Sequence, residues 1–275
     1  MKLLDLTIAT SHVDKHGEMI APKALSSLVE QINAEYLPMG VEHDPPIPPI
    51  GRIVSAKLVV LDDGAYAVQG VAEMFKDGEQ IQLVDNLREL PLKAYEVGEF
   101  GVEFDRTYRH SEDQAIIDNI GGLLDAKPQE EIKKALGAIS ILTIGGGFVI
   151  GAVATGFLGK LGADAWDALK DRLKKLHNNR RGRVQEQLLV FEFTFMRENV
   201  KMVAEVILTN PRDEDIESFF EHGLEQLDRL VPMINDPSME LRKVVFQYSD
   251  HQLSIRFAIR KDAVPVSPTV TENPA

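Results

Sequence analysis

Apolar and polar positions recur along the chain with periods that change three times. Early on, LLDLTIA (3–9) reads as a strand, and APKALSSLVEQINAEYL (21–37) as a helix with Pro22 in its first turn. Its apolar residues Leu25, Leu28 and Ile32 share one helical face. GRIVSAKLVVLDDGAYAVQGVAEMF (51–75) reads as a β-hairpin turning at Asp62-Asp63-Gly64. DGEQIQLVDNLRELP (77–91) is expected to form a short helix stopped by Pro91. KAYEVGEFGVEFDRTYR (93–109) reads as one or two strands. Further on, EQLLVFEFTFMRENVKMVAEVILTN (186–210) alternates around a turn at Glu198-Asn199. RDEDIESFFEHGLEQLDRLVPMI (212–234) is an acidic amphipathic helix, and LRKVVFQYSDHQLSIRFAIRKD (241–262) is a second hairpin turning near Ser249-Asp250. That order is β-β-α-β-β. Its acidic helix face suits solvent, or a basic surface such as the chain's own 170–183 segment.

Between these regions the rhythm disappears. No charge occurs in the 25 positions from Ala135 to Gly159, ALGAISILTIGGGFVIGAVATGFLG. A bilayer takes about 20 apolar residues, so this run is expected to be a glycine-rich helical membrane segment. Gly145-Gly146-Gly147 interrupts it, and Gly147 with Gly151 makes a G-x-x-x-G pair of the kind that lets helices approach closely in lipid. A broken run can also be two short buried helices packed tightly through Ala and Gly. ADAWDALKDRLKKLHNNRRGR (163–183) follows as an amphipathic helix. Trp166 stands near its start, where an interfacial anchor belongs. Its seven cations, Lys170 to Arg183, would suit an anionic leaflet. A re-entrant hairpin or triggered insertion avoids exporting the N-terminal part.

The division expected from these shifts is a β-rich domain over 1–110 and a linker, apolar segment and basic helix over 111–183. An α+β interaction domain over 184–266 and a disordered Pro/Thr-rich tail over 267–275 complete it. The fold class is α+β. With 30 Lys and Arg against 43 Asp and Glu, the net charge is -13. That balance argues against a nucleic-acid partner, whose phosphates need clustered cations. The absence of cysteine removes thiol nucleophiles, disulfides and Cys-ligated metals. The N-terminus has only a short apolar patch broken by Asp5 and does not read as a secretory signal. A cytoplasmic or inner-membrane-associated protein is expected.

One histidine stands out. His43 lies between Glu42 and Asp44, ahead of four prolines and the strand at Ile50-Gly51-Arg52-Ile53. It is a catalytic base in one reading and an ordinary loop residue in the other. Upstream, Asp14, Gly17, Glu18, Ile20, Pro22 and Ala24 fit the pattern D-x-x-G-D/E-x-(I/V)-x-P-x-A. With the histidine before an I-G-x-(I/V) strand, the first 110 residues resemble the prohead (capsid-maturation) serine proteases of tailed phages. The resemblance implies a protease fold with His43 as candidate base and a serine nucleophile in a later Ser-(I/V)-G-F strand. Here that place reads Glu99-Phe100-Gly101-Val102, so Glu99 marks a lost nucleophile. A carboxylate cannot form the serine acyl-enzyme. Ser111 and Ser55 are the nearest hydroxyl alternatives. No ligand spacing such as H-E-x-x-H supports a metal site, and no cofactor is expected.

The leading expectation is a noncatalytic, protease-like sensing or assembly domain coupled to a membrane-associating segment, such as a bacterial effector in phage defence. Its partners would be membrane lipid, phage or capsid protein, and other copies of itself. The alternatives are a divergent prohead protease, and an oligomeric structural protein with the apolar run buried.

Overall fold

A computed structural model describes residues 2–13, 17, 19–40, 45–76, 81–83, 88–131, 139–197, 200–234 and 237–268. They fall into two compact units, Met1–Pro91 with Ile259–Val266, and Leu92–Ala258 with Ser267–Ala275. The protein is mixed α+β with two sheets.

In the first unit, β1 (Lys2–Thr10), α1 (Pro22–Ala34), β2 (Leu37–Met39), β3 (Gly51–Val60) and β4 (Tyr66–Met74) follow in order. The sheet runs β1-β4-β3-β2 and is antiparallel throughout. Pro22 opens α1, where its missing N–H costs nothing. The helix lays Leu25 and Ile32 on Ala9, Ile53 and Val68 of the sheet. The β3–β4 turn uses Gly64 at φ 83°, a conformation open to glycine without a Cβ clash. Residues 259–266 are fastened to this sheet through Arg52. Its buried guanidinium donates to Glu73 Oε2 at 2.7 Å and to the Asp262 carbonyl at 2.6 Å. A charge so deeply buried stays only when paired in this way. The helix expected over 77–91 lies largely outside the described residues.

The second unit contains β5 (Phe100–Phe104), α2 (Ser111–Leu124), β6 (Gln129–Glu130), β7 (Ile139–Phe148), α3 (Val153–Arg180), β8 (Glu186–Arg197) and β9 (Val200–Thr209). After these come α4 (Asp213–Ser218), a π-turn (Phe219–Gly223), α5 (Leu224–Met233), β10 (Leu241–Ser249) and β11 (Gln252–Arg260). Its strands lie in the order β11-β10-β9-β8-β7-β5-β6. β7 and β8 are parallel, as are β9 and β10, while β8–β9 and β5–β7 are antiparallel. The two crossovers, β7-α3-β8 and β9-α4-α5-β10, step the same way across the sheet. Their helices lie together on one face of the sheet, where α3 packs against α4 and α5. Asp228 of α5 closes the start of α3, accepting from Val153 N at 2.7 Å and Ala154 N at 3.0 Å. Phe100, Phe148, Phe157, Phe193, Trp166 and Phe220 form a continuous aromatic core on this face.

The glycine-rich run corrects the expectation of a helical membrane segment. Residues 139–148 are β7, with every residue after Ile139 buried, and α3 starts only at Val153. Ile139, Ile141, Thr143 and Ile144 are β-branched and favour a pleated strand. A strand covered on both faces is apolar without alternation, and that imitates a spanning helix. No helix among the described residues is long and apolar enough to cross a membrane. Trp166, expected at an interface, is buried edge-on against Phe220 at 4.8 Å. Cations of this segment are engaged within the unit: Lys170 and Lys174 with Glu217 of α4, and Arg180 with Asp113. The acidic helix thus meets the 170–183 segment, and Asn178 adds a hydrogen bond to Asp213 at 2.9 Å. The opening of the expected linker is α2, whose Ile116, Ile117, Ile120 and Leu124 are buried.

Candidate functional site

The sequence-derived site residues are spread over both units and residues outside the described ones. His43, with Glu42 and Asp44, lies outside the described residues. Glu99 belongs to the second unit, exposed in the turn before β5. There Glu99 N donates to the Glu96 carbonyl at 2.9 Å, and the Glu99 carboxylate accepts from Glu96 N at 3.0 Å. The strand that follows it pairs with β7 of the larger sheet, Gly101 opposite Gly145. Ser111 is an exposed residue opening α2 after His110. Ser55 lies on the face of the small sheet away from α1. It borders, with Asp5, Thr7, Lys57 and Gln69, a hollow of about 540 Å³. His12 Nε2 stands 2.7 Å from Asp63 Oδ2.

The three central glycines are explained by what lies on them. A Cβ at Gly145 would meet the Tyr95 ring at 2.1 Å, one at Gly146 the Phe148 ring at 2.7 Å, and one at Gly147 the Glu96 carbonyl oxygen at 2.1 Å. Segment 93–98 therefore lies directly on the sheet. It is held there by Tyr95 N donating to Thr194 Oγ1 at 3.1 Å and Gly98 N donating to the Gly147 carbonyl at 3.0 Å. Gly151 takes φ 75° in the turn into α3. A cleft of about 220 Å³ opens beside that turn. Gly98, Phe100, Gly147, Phe148 and Gly156 line it, with Lys160 at its edge.

A row of charges crosses the sheet face turned away from the helices. Lys93 pairs with Glu103, Tyr95 Oη donates to Glu103 at 3.1 Å, and Lys243 Nζ lies 2.6 Å from Glu205. Burial, with the negative charges of Glu192 and Glu131, pushes the Tyr95 hydroxyl up, so it stays a proton donor. The Glu103 end of the row fastens segment 93–97 through Lys93 and Tyr95, while Lys243 and Glu205 tie β10 to β9. Among the described residues, no group of three or more His, Asp or Glu side chains could hold a metal ion.

A second network joins α2, α3 and β7. Arg180 donates to Asp113 at 2.9 Å, to Thr107 Oγ1 at 2.7 Å and to Ser140 Oγ at 2.5 Å, and stacks 4.0 Å over Tyr108. His177 beside it is driven down to about 4, chiefly by burial.

His251 lies in a contact that no spacing pattern in the sequence marks. Asp250 and His251 both have positive φ, as a two-residue type I′ hairpin turn requires. That turn sets His251 Nδ1 2.6 Å from Ser218 Oγ, which also lies 2.8 Å from Tyr248 Oη. Gln226 clamps the turn by donating to the His251 carbonyl and accepting from Leu253 N. A serine against an imidazole is the contact from which a general base takes a hydroxyl proton. Here the serine is buried and shared with a tyrosine, which favours a bracing role. Ser218 and His251 are 33 residues apart, and only the alternation of the β10–β11 hairpin above the helix could have hinted at their meeting.

The chain is thus a two-unit α+β protein, and among the described residues Ser218 and His251 are a hydroxyl and an imidazole in contact. No protein-family model matches the chain, and no curated protein or solved structure matches it.

Proposed function

We propose that the chain is a noncatalytic, protease-like recognition protein: the first unit engages a protein partner of the phage-capsid type, and the second unit serves assembly. One observation supports this most. The segment aligned with the nucleophile strand, Glu99 to Val102, is built into the second unit's sheet beside β7 and carries an exposed carboxylate where the resemblance calls for a serine. The apolar run enters this reading as sheet core, because inserting it in lipid would remove β7 from between β5 and β8.

A second reading, a hydrolase centred on the second unit, would take the Ser218–His251 contact as its nucleophile and base rather than as a brace. One experiment separates them. The full chain, His43→Ala and Ser218→Ala are each treated with a fluorophosphonate probe, and self-cleavage is followed by mass spectrometry. No labelling and no cleavage are expected. Labelling abolished by His43→Ala would overturn the noncatalytic reading in favour of a protease, and labelling abolished by Ser218→Ala would establish the hydrolase.

A further inference from the structure

Four of the exposed large apolar side chains gather at one end of the second unit's sheet. Val97 and Val149 are 61% and 62% exposed, Met196 and Val200 44% and 37%. The register explains the gathering. Val97 bridges Gly147, Phe148 pairs with Phe195 so that Val149 follows beside Met196, and Arg197 opposite Val200 closes the same end. The cleft beside the glycine turn opens here, and its shape comes from residues without side chains, Gly98, Gly147 and Gly156. An exposed apolar cluster around a concavity marks a contact surface.

The rim charges point to the occupant. Lys160 borders the cleft and has no ion pair among the described residues. Glu99 lies between two residues that line it, Gly98 and Phe100, with its carboxylate engaged only by the local Glu96 N–H. Among the described residues beside the cleft, Lys160 and Glu99 thus set one cation and one anion around an apolar centre. A singly charged partner would satisfy one and face the other with like charge, which disfavours it. A twofold-related copy satisfies both, because an isologous interface sets the same patch against itself. We infer that this end of the sheet is the surface through which two copies of the chain associate, Val149 of each entering the other's cleft and Lys160 of each facing Glu99 of the other. The inference is independent of whether the first unit is catalytic.

The test uses the full chain. Sedimentation velocity and light scattering over a concentration series read the monomer–dimer equilibrium for wild type, Val149→Asp, Glu99→Lys, Lys160→Glu and the Glu99→Lys/Lys160→Glu double variant. Circular dichroism and Trp166 fluorescence confirm that each is folded. The wild type is expected to dimerise. Val149→Asp and each single charge reversal should raise the dissociation constant by about tenfold or more. The double reversal should recover most of that loss, since it re-creates the pair with opposite polarity. A wild type that stays monomeric to about 100 μM, a range that still detects weak specific dimers, overturns the inference. So does Val149→Asp dimerising like wild type, or a double variant no better than the singles.

Discussion

Gly147→Ala puts the reading of the glycine-rich run to a quantitative test. A Cβ at this position lies 2.1 Å from the Glu96 carbonyl oxygen, 2.5 Å from its carbon and 2.6 Å from the Tyr95 oxygen. These are backbone atoms, so no side-chain rotation relieves the clash. Ordinary non-bonded contact begins near 3.5 Å, so segment 95–96 must retreat by about 1.4 Å. That retreat strains the hydrogen bonds from Gly98 N to the Gly147 carbonyl and from Tyr95 N to Thr194 Oγ1, and the Glu96–Lys201 ion pair. Overpacking alone costs about 1–3 kcal/mol. Each hydrogen bond given up adds roughly 1 kcal/mol, so with two lost the total is about 3–5 kcal/mol.

The sign is diagnostic. In a helix, alanine would stabilise relative to glycine by about 1 kcal/mol, and in an unobstructed strand by about 0.5–1 kcal/mol. Only close approach of another backbone reverses the effect. Gly159→Ala is the control. It lies in α3, has nothing within 4 Å of its Cβ position, and should stabilise by up to about 1 kcal/mol. Trp166 is the sole tryptophan and is buried in the second unit, so its fluorescence during urea unfolding reports the relevant transition. A slope of roughly 2 kcal/mol/M would convert the expected loss at Gly147 into a midpoint lower by about 1.5–2.5 M. A Gly147→Ala protein as stable as wild type, or both variants moving the same way, would refute the reasoning.

Two further outcomes follow from the Arg180 network. Asp113 and Arg180 are 0% and 2% exposed, so Asp113→Ala, which strands a buried guanidinium, should cost about 3–5 kcal/mol. Asp113→Leu combined with Arg180→Met should cost much less than the two single changes summed, read by the same urea titration. His177 is held down to about 4 in the folded protein, by burial first and then by Arg180 and Arg181 against the Leu173 hydrogen bond, from an ordinary 6.5. As pH falls below 6.5 the unfolded chain takes up this proton before the folded one does. Its contribution is therefore whole above pH 6.5 and fades down to about pH 4, by up to roughly 3 kcal/mol. Stability measured at pH 7 and pH 4.5 should converge in His177→Gln relative to wild type. An unchanged difference would show that carboxylates alone carry the pH dependence.

What the sequence disclosed was what local chemistry encodes. Pro22 with Leu25 and Ile32 located α1, and Asp62-Asp63-Gly64 located the β3–β4 turn, because helix starts and tight turns depend on the residues that form them. The 186–262 alternation yielded four strands and their helical connection, with the last turn one residue further on, at Asp250-His251. The apolar run was ambiguous for a physical reason. Burial on both sheet faces erases alternation, and 25 uncharged residues then satisfy a membrane helix as well as a central strand with the helix after it. The β-branched cluster ISILTI was the discriminating signal, more informative than the lack of charge. α2 was legible in the three- and four-residue spacing of Ile116, Ile117, Ile120 and Leu124, but its polar start drew the reading toward a linker. The glycines could not be interpreted locally. Gly147 is required by the carbonyl of Glu96, which comes from a segment some 50 residues earlier. Ser218 meets His251 only because a helix and a hairpin cross. Spacing tests find ligands and nucleophiles carried on one element. Here the contacts that decide the sites are made between elements, and the glycines of β7 that looked like a membrane motif are the clearance the sheet leaves for another stretch of its own chain.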